Sequence, residues 1–147
     1  MTAITLHQPG TTNPRITRNL TFTGHPFSIT FDTNAPTQRY INDILEAGSI
    51  YERESTLAIV AALQPGDVFF DVGANCGWFS AVALSVGARV FAFEPDAFNV
   101  AALRVNAPGA TIIEAAVAEK TGQRQLFTNL DNDGGHSLWP CGAHPHN

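Results

Sequence analysis

The chain has 147 residues, of which 44% are hydrophobic and 14% are charged, and its formal net charge is −5. These values fit one globular domain and exclude a disordered chain, which would be poorer in apolar residues. The acidic balance argues against nucleic acid as a partner, because binding phosphates requires a basic face. No apolar run is long enough to span a membrane, and the first residues lack the features of a signal peptide. With only two cysteines, which make no disulfide framework, we expect a cytoplasmic protein.

The first 36 residues form a segment rich in β-forming residues, which we treat as separate from residues 37–147. Within it, the runs 20–22 and 27–31 alternate in polarity and flank a turn that contains glycine and proline, which predicts a hairpin. Helical patterns follow it, and a Pro-Gly pair ends the second of them. Helices are therefore expected over residues 37–46 and about 53–63.

The part of the chain from 67 to 117 alternates apolar runs with helical patterns, which indicates parallel strands joined by helices. Strands are expected over residues 67–72, 89–93 and 111–117. The first strand is apolar on both faces, as strands of parallel sheets are, so both faces should be buried. The helix that precedes the third strand repeats Phe98, Ala102 and Val105 on one side, which predicts that this side faces the core.

A glycine-rich loop, Asp71-Val-Gly73-Ala-Asn75-Cys-Gly77, follows the first of these strands. Glycine tolerates positive φ and lets a ligand approach the backbone, and the helix start beyond the loop offers unpaired N–H groups to an anion. Glu94 ends the next strand, where an acidic residue suits the two hydroxyls of a ribose. The arrangement predicts a cofactor that contains a nucleoside, bound at one edge of a parallel sheet.

The details of the loop narrow the choice of cofactor. A dinucleotide site needs a glycine where Asn75 stands, and a phosphate-binding P-loop needs lysine where Trp78 follows Gly77. A carboxylate at Asp71 would repel a pyrophosphate but attract an ammonium group. S-adenosylmethionine carries an ammonium, a carboxylate for the loop N–H groups and a ribose for Glu94. An NAD-dependent oxidoreductase is a weaker alternative, because its glycine pattern is not met.

The segment 68–80 and the segment Val90-Phe-Ala-Phe-Glu94-Pro95 resemble the FkbM family of S-adenosylmethionine-dependent methyltransferases. The combination D-V-G-A-N-x-G with F-E-P is fairly specific, and the similarity spans residues 40 to 127. Cys76 departs from the family, which usually has an aliphatic residue there. The resemblance implies an α/β, Rossmann-like class I methyltransferase fold. Residues 1–36 would precede it, and 37–147 would form part of the S-adenosylmethionine-binding domain.

The resemblance also implies which residues bind S-adenosylmethionine. They are Glu52, Asp71, Gly73, Ala74, Asn75, Gly77, Glu94 and Ala116. Glu52 would close the methionine end of the pocket, and Ala116, at the end of the third strand, would lie near adenine. Glu52 and Ala116 each have an alternative role without a ligand. Glu52 would interact favourably with the helix dipole as an acidic residue in the first turn, and Ala116 would be an ordinary core residue. No catalytic residue is assigned by the resemblance.

FkbM relatives commonly methylate hydroxyl oxygens, so the resemblance implies O-methylation of a small molecule such as a sugar or natural product, or of a glycan. A sheet of this class continues with further strands and an acidic motif, neither of which we identify in the chain. We therefore expect an N-terminal portion of a doubly wound sheet, whose first strand would expose an edge. The alternative function is a non-catalytic module that binds the cofactor or a partner.

Two histidine-containing segments near the end of the sequence are candidate sites. One interpretation of the run Gly134-Gly-His-Ser137 is a substrate-side loop with His136 as a general base, a role that suits histidine because an imidazole ordinarily has a pKa near neutrality. A polar turn is favoured. Cys141, His144 and His146 have no second cysteine pair, so we predict no metal site.

Overall fold

The computed structural model describes residues 15–129 and 135–138. In chain order, its elements are β1 (Arg15–Phe22), β2 (His25–Asp32), α1 (Pro36–Glu46), α2 (Arg53–Ala62), β3 (Val68–Val72), α3 (Trp78–Val86), β4 (Arg89–Phe93), α4 (Ala97–Asn106) and β5 (Thr111–Ile113). The predicted helices and the strand 89–93 are confirmed, with small differences at the helix ends.

Strands β1 and β2 form an antiparallel hairpin, as predicted. Its strands are longer and its turn is shorter than expected, because the turn consists of Thr23 and Gly24 alone. Both residues have positive φ, 48° and 90°, which is the backbone geometry that a two-residue hairpin turn requires. His25 and Pro26, expected in the turn, begin β2 instead.

One face of the hairpin packs on the helices rather than forming a core of its own. The shared core contains Leu20, Phe22, Ile29, Phe31, Ile41, Leu45, Ile50, Cys76, Trp78, Ala81 and Val82. Arg18 is also buried on this face, where its Nε donates a hydrogen bond of 2.9 Å to Asn42 Oδ1 and its guanidinium pairs with Glu46. These contacts hold α1 against the hairpin.

Strands β3, β4 and β5 form a parallel sheet in that order, with α3 and α4 as the connections. This is the predicted α/β class with Rossmann-like strand–helix–strand units. Helix α3 packs on both this sheet and β2 of the hairpin. The third strand ends at Ile113 rather than at residue 117, because Ala115 N–H bonds back to the Ile113 carbonyl at 2.8 Å and turns the chain.

The prediction that both faces of β3 are buried is wrong for the described residues. Val68, Phe70 and Val72 are 41%, 62% and 60% exposed, and Phe70 stacks on Phe91 across the same face with 5.5 Å between ring centroids. The helices pack only on the opposite face. An apolar run alone does not distinguish a strand that is covered on one face from a strand that is covered on both.

The predicted core face of α4 is wrong at Phe98 and Val105, whereas Ala102 packs partly buried against the core as predicted. Phe98 and Val105 are 51% and 52% exposed, whereas the buried residues are Asn99, Val100, Leu103 and Asn106. Two of these four are asparagines, so the buried face is less apolar in sequence than the exposed one. A prediction from apolar spacing therefore selected the wrong side of the helix.

Asn106 is buried because its side chain joins three parts of the fold. Its Nδ2 donates to the carbonyls of Thr30 (3.0 Å) and Cys76 (2.8 Å), and its Oδ1 accepts the Thr30 N–H at 2.7 Å. It thereby links α4 to β2 of the hairpin and to the glycine-rich loop.

We expect Asn106→Ala to lower the free energy of unfolding by about 1–3 kcal/mol, because buried backbone groups lose their partners. Urea denaturation followed by circular dichroism measures the change. Asn19→Ala removes an exposed asparagine whose side chain accepts a hydrogen bond from the Ser28 hydroxyl, and should change stability by about 0.5 kcal/mol or less. Equal losses for the two variants would contradict the joining role of Asn106.

Candidate functional site

A cavity of about 210 Å³ opens at the carboxyl ends of the three parallel strands. It is lined by Val72, Gly73, Asn75, Phe93, Glu94, Pro95, Ala116, Val117, Leu126, His136, Ser137 and Leu138. Of the residues predicted to bind a cofactor, Gly73, Asn75, Glu94 and Ala116 line this cavity. The other four, Glu52, Asp71, Ala74 and Gly77, do not. The edge of a parallel sheet beyond its carboxyl ends is where ligands bind in folds of this class.

The carboxylate of Glu94 is held in a fixed orientation in the cavity wall, where the residue is 4% exposed. Its Oε2 accepts the Asn75 N–H at 2.8 Å, and its Oε1 accepts the Asp96 N–H at 3.0 Å. Each carboxylate oxygen has two lone pairs, so each retains capacity for a further hydrogen bond. Glu94 therefore presents two oriented acceptors to the cavity.

The glycine-rich loop is tied to β4 by its own backbone. The N–H groups of Gly73 and Ala74 both donate to the Phe93 carbonyl, at 2.9 and 3.0 Å. Gly73 has a φ of 78°, and Asn75 has a φ of 48°, a conformation in which asparagine is one of the few tolerated non-glycine residues. Because the Ala74 N–H is engaged and the residue is buried, Ala74 supports the loop and does not face the cavity.

Gly77 serves packing at the start of α3. Its φ is 92°, and a Cβ at this position would lie 2.8 Å from Leu103 Cδ1 of α4. The missing side chain therefore lets α4 approach the end of the loop. Sequence reasoning recognised the glycine but had no signal for this neighbour, which is remote in the chain.

Asp71 lies beneath the loop, 6% exposed, and its Oδ2 accepts a hydrogen bond of 2.6 Å from the Ser80 hydroxyl. Burial raises the pKa of the Asp71 carboxyl, the negative charge of Glu94 raises it further, and the hydrogen bonds from Ser80 oppose the shift. Two neighbouring buried carboxyl groups make this end of the sheet favourable for positive charge.

The raised pKa of Asp71 predicts a pH-dependent stability. The folded state binds this proton more tightly than the unfolded state, so the contribution of Asp71 to stability falls as pH rises from the ordinary carboxyl pKa through the raised one. Asp71→Asn keeps an acceptor for Ser80 and removes the charge. We expect it to stabilise the protein at pH 7 and to lose this advantage below pH about 4.

Urea denaturation at a series of pH values tests the prediction for Asp71. Asp43→Asn, at an exposed position of α1, is the matched control and should show no such trend. If the difference in the free energy of unfolding between wild type and Asp71→Asn did not change with pH, the prediction would be contradicted.

Glu52 lies apart from the cavity, at the N-terminus of α2. Its backbone is left-handed, with φ 40°, and its exposed side chain accepts a hydrogen bond of 3.0 Å from Ser55. The neighbouring Tyr51 packs edge-on against Trp78, 5.7 Å between ring centroids, and burial together with the Glu52 charge raises the pKa of Tyr51 to about 12. A left-handed non-glycine residue is strained, so the surrounding packing holds this turn in place.

Ala116 lines the cavity beyond β5 but does not end that strand, which corrects the sequence prediction. It is an exposed residue of the irregular segment that follows the turn at Ala115. The core-alanine alternative is therefore wrong. A small side chain at the mouth of the cavity leaves space for a flat ligand group.

His136 lies in the wall of the cavity, where the sequence favoured a polar turn over a substrate-side loop. An isolated β-bridge between Phe127 and Ser137 joins its segment to the one that carries Leu126, another residue of the cavity wall, and no local periodicity signals such a contact. Its Nδ1 accepts the Asn129 N–H at 3.1 Å, and its Nε2 lies 3.8 Å from Asp96 Oδ2.

Cys141, His144 and His146 lie outside the described residues. Within 15–129 and 135–138, no group of three or more metal-ligating side chains is positioned to hold an ion. In the same part of the chain, no helix is both long and apolar enough to cross a membrane.

Parts of the chain are similar to curated methyltransferases. It is 43% identical over 70 residues to the 31-O-demethyl-FK506 methyltransferase FkbM of Streptomyces tacrolimicus. The aligned region covers 44% of this chain and 27% of that protein. It is 35% identical over 82 residues to a protein-L-isoaspartate O-methyltransferase of Methylorubrum populi, covering 56% and 32%. A protein of the same name from Methylorubrum extorquens is 30% identical over 108 residues, covering 52% and 47%.

The chain thus spans between about a quarter and a half of the length of these relatives. Among solved structures, the chain is similar to a TehB-like SAM-dependent methyltransferase from Corynebacterium glutamicum. The similar region covers 52% of this chain and 41% of that chain. The TM-score is 0.44 and the sequence identity 20%. No protein-family model matches the chain.

Proposed function

We propose that this chain binds S-adenosylmethionine at the carboxyl ends of β3, β4 and β5 and forms the cofactor-binding part of a methyltransferase. The observation that carries the proposal is the meeting of the glycine-rich loop and the Glu94 carboxylate in one cavity. The hydrogen bond of 2.8 Å from Asn75 N–H to Glu94 Oε2 joins them. The partial similarity to proteins named as methyltransferases supports the same function.

Glu94 suits the ribose of this cofactor. A ribose diol offers two neighbouring O–H donors, and the two carboxylate oxygens of Glu94 each retain an acceptor position beside the cavity. Backbone N–H groups already fix the carboxylate plane, so little side-chain freedom is lost when a ligand binds. Such an acceptor pair favours a ligand with a free diol.

The charge of the site suits S-adenosylmethionine better than a dinucleotide. Asp71 and Glu94 are both buried near the loop, and their mutual repulsion contributes to the raised pKa of Asp71. A ligand with an ammonium and a sulfonium relieves this repulsion, whereas a pyrophosphate adds to it. We assign the ammonium to the Asp71 side, through water or directly. The N–H groups of Gly73, Ala74 and Asn75 already donate to Phe93 and Glu94, so we assign no contact with the methionine carboxylate to them.

The bound cofactor supplies an electrophilic methyl group, and the protein contributes binding and orientation. Gly73, Asn75 and Glu94 hold the cofactor, and the packing of the loop on β4 keeps these contacts in register. We further propose O-methylation, with a hydroxyl oxygen of a small molecule or glycan as the acceptor. The similarity to a methyltransferase named for 31-O-demethyl-FK506 supports this choice.

Calorimetric titration of the purified chain tests the proposal. We expect saturable binding of S-adenosylmethionine and of its product S-adenosylhomocysteine, and no binding of NAD. Binding of NAD without either of these ligands would instead support an oxidoreductase. A folded chain that binds none of the three, with folding checked by circular dichroism, would contradict the proposal.

A further inference from the structure

Among the described residues, the cavity wall combines one imidazole with apolar side chains. His136 has a side-chain exposure of 12%, and its neighbours in the wall include Val117, Leu126 and Leu138. Glu94 lies in the same wall, at the end of β4. The described part of the cavity wall therefore brings together a carboxylate, apolar side chains and an imidazole.

The protonation of the His136 ring follows from its contacts. Because Nδ1 accepts the backbone N–H of Asn129, the proton of the neutral ring is on Nε2. The nearest carboxylate oxygen, Asp96 Oδ2, is 3.8 Å from Nε2, which exceeds hydrogen-bonding distance. Asp96 is itself fixed, since its other oxygen caps α4 by accepting the Asn99 N–H at 3.0 Å. Nε2–H is thus a donor with no hydrogen-bond acceptor among the described residues.

The order of the strands sets the direction of a ligand in this cavity. The glycine-rich loop follows β3, Glu94 follows β4, and Ala116 follows β5 in the cavity wall that also contains His136. A nucleoside whose ribose bonds to Glu94, and whose other substituent points to Gly73, directs its base towards His136. The base then enters the apolar compartment between Ala116, Val117 and Leu126.

We propose that His136 binds the adenine base, its Nε2–H donating a hydrogen bond to a ring nitrogen. This inference rests on the proposed function and adds a residue that selects the base. Asp96 links the two contacts, since its N–H orients the Glu94 carboxylate and its carboxylate faces Nε2. Adenine offers unprotonated ring nitrogens as hydrogen-bond acceptors. A donor at this position therefore favours adenine over a base whose facing edge carries only donors.

Calorimetry with S-adenosylhomocysteine and its 1-deaza, 3-deaza and 7-deaza analogues tests the inference. Each analogue replaces one ring nitrogen by C–H. We expect one analogue to bind wild type about tenfold more weakly than S-adenosylhomocysteine, which is the effect of one hydrogen bond. His136→Phe keeps a flat ring without the donor. This variant should bind S-adenosylhomocysteine about tenfold more weakly than wild type does. It should bind S-adenosylhomocysteine and the weakened analogue with equal affinity.

His25→Phe is the matched control, because the His25 imidazole contacts the Ser85 carbonyl, outside the cavity lining. It should bind all four ligands as wild type does. If wild type binds S-adenosylhomocysteine but none of the deaza analogues is weakened, the inference alone is wrong. The same holds if His136→Phe weakens all four ligands equally, because that result indicates a packing role. If wild type binds neither S-adenosylmethionine nor S-adenosylhomocysteine, the proposed function fails and the inference with it.

Discussion

Replacing Glu94 by glutamine should weaken the binding of S-adenosylhomocysteine by about 100-fold, as measured by calorimetry. Hydrogen bonds to a charged acceptor contribute about 1.5–3 kcal/mol each. Glutamine has no charge and one acceptor fewer for the ribose diol, so the binding free energy should be less favourable by about 3 kcal/mol. The substitution also disturbs the loop. Both oxygens of Glu94 accept backbone N–H groups, from Asn75 and Asp96, and an amide NH2 group would face one of these donors.

Glu114→Gln is the control for the loss of one negative charge near this edge of the sheet. Glu114 follows β5, is about half exposed and pairs with Arg104 on the protein surface. Because exposed ion pairs contribute little to stability, we expect the Kd of Glu114→Gln for S-adenosylhomocysteine to stay within about twofold of the wild-type value. A Glu94→Gln variant that binds as tightly as wild type would contradict the assignment of Glu94 to the ribose.

The sequence predicted those parts of the site that depend on local backbone chemistry. Gly73 and Asn75 have positive φ, and few residue types adopt that conformation, so the loop is recognisable from its residues. Glu94 was predicted because a short parallel strand, β4, has a clear apolar pattern that ends at a charged residue. These features are local in the chain, and the structure brings them into one cavity.

The remaining parts depend on contacts between distant segments, which spacing does not report. The buried face of α4 carries Asn99 and Asn106, and Asn106 is buried because it bonds to Thr30 and Cys76 far away in the chain. His136 reaches the cavity through the bridge of its neighbour Ser137 to Phe127. In each case contacts with distant segments cover a polar residue, wholly for Asn106 and in part for His136, and a rule based on hydrophobicity assigns it to the surface.

Gly77→Ala should be the most destabilising of the glycine-loop substitutions, lowering the free energy of unfolding by about 2–6 kcal/mol. A non-glycine residue in an unfavourable backbone region costs about 1–3 kcal/mol, and Gly77 has a φ of 92°. Overpacking adds about 1–3 kcal/mol, because the new Cβ would lie 2.8 Å from Leu103 Cδ1 and 3.4 Å from Leu103 Cα. Urea denaturation followed by circular dichroism measures the sum.

Gly73→Ala separates backbone strain from packing, and stability from binding. Its φ of 78° also disfavours alanine, but a Cβ at this position has no atom within 4 Å, so only the strain of about 1–3 kcal/mol applies. Gly73 lines the cavity and Gly77 does not. We therefore expect Gly73→Ala to be the more stable variant and, at temperatures where both are folded, the weaker binder of S-adenosylhomocysteine. Equal stability of the two variants would contradict the packing role of Gly77, and unchanged binding by Gly73→Ala would show that the ligand does not approach the loop there.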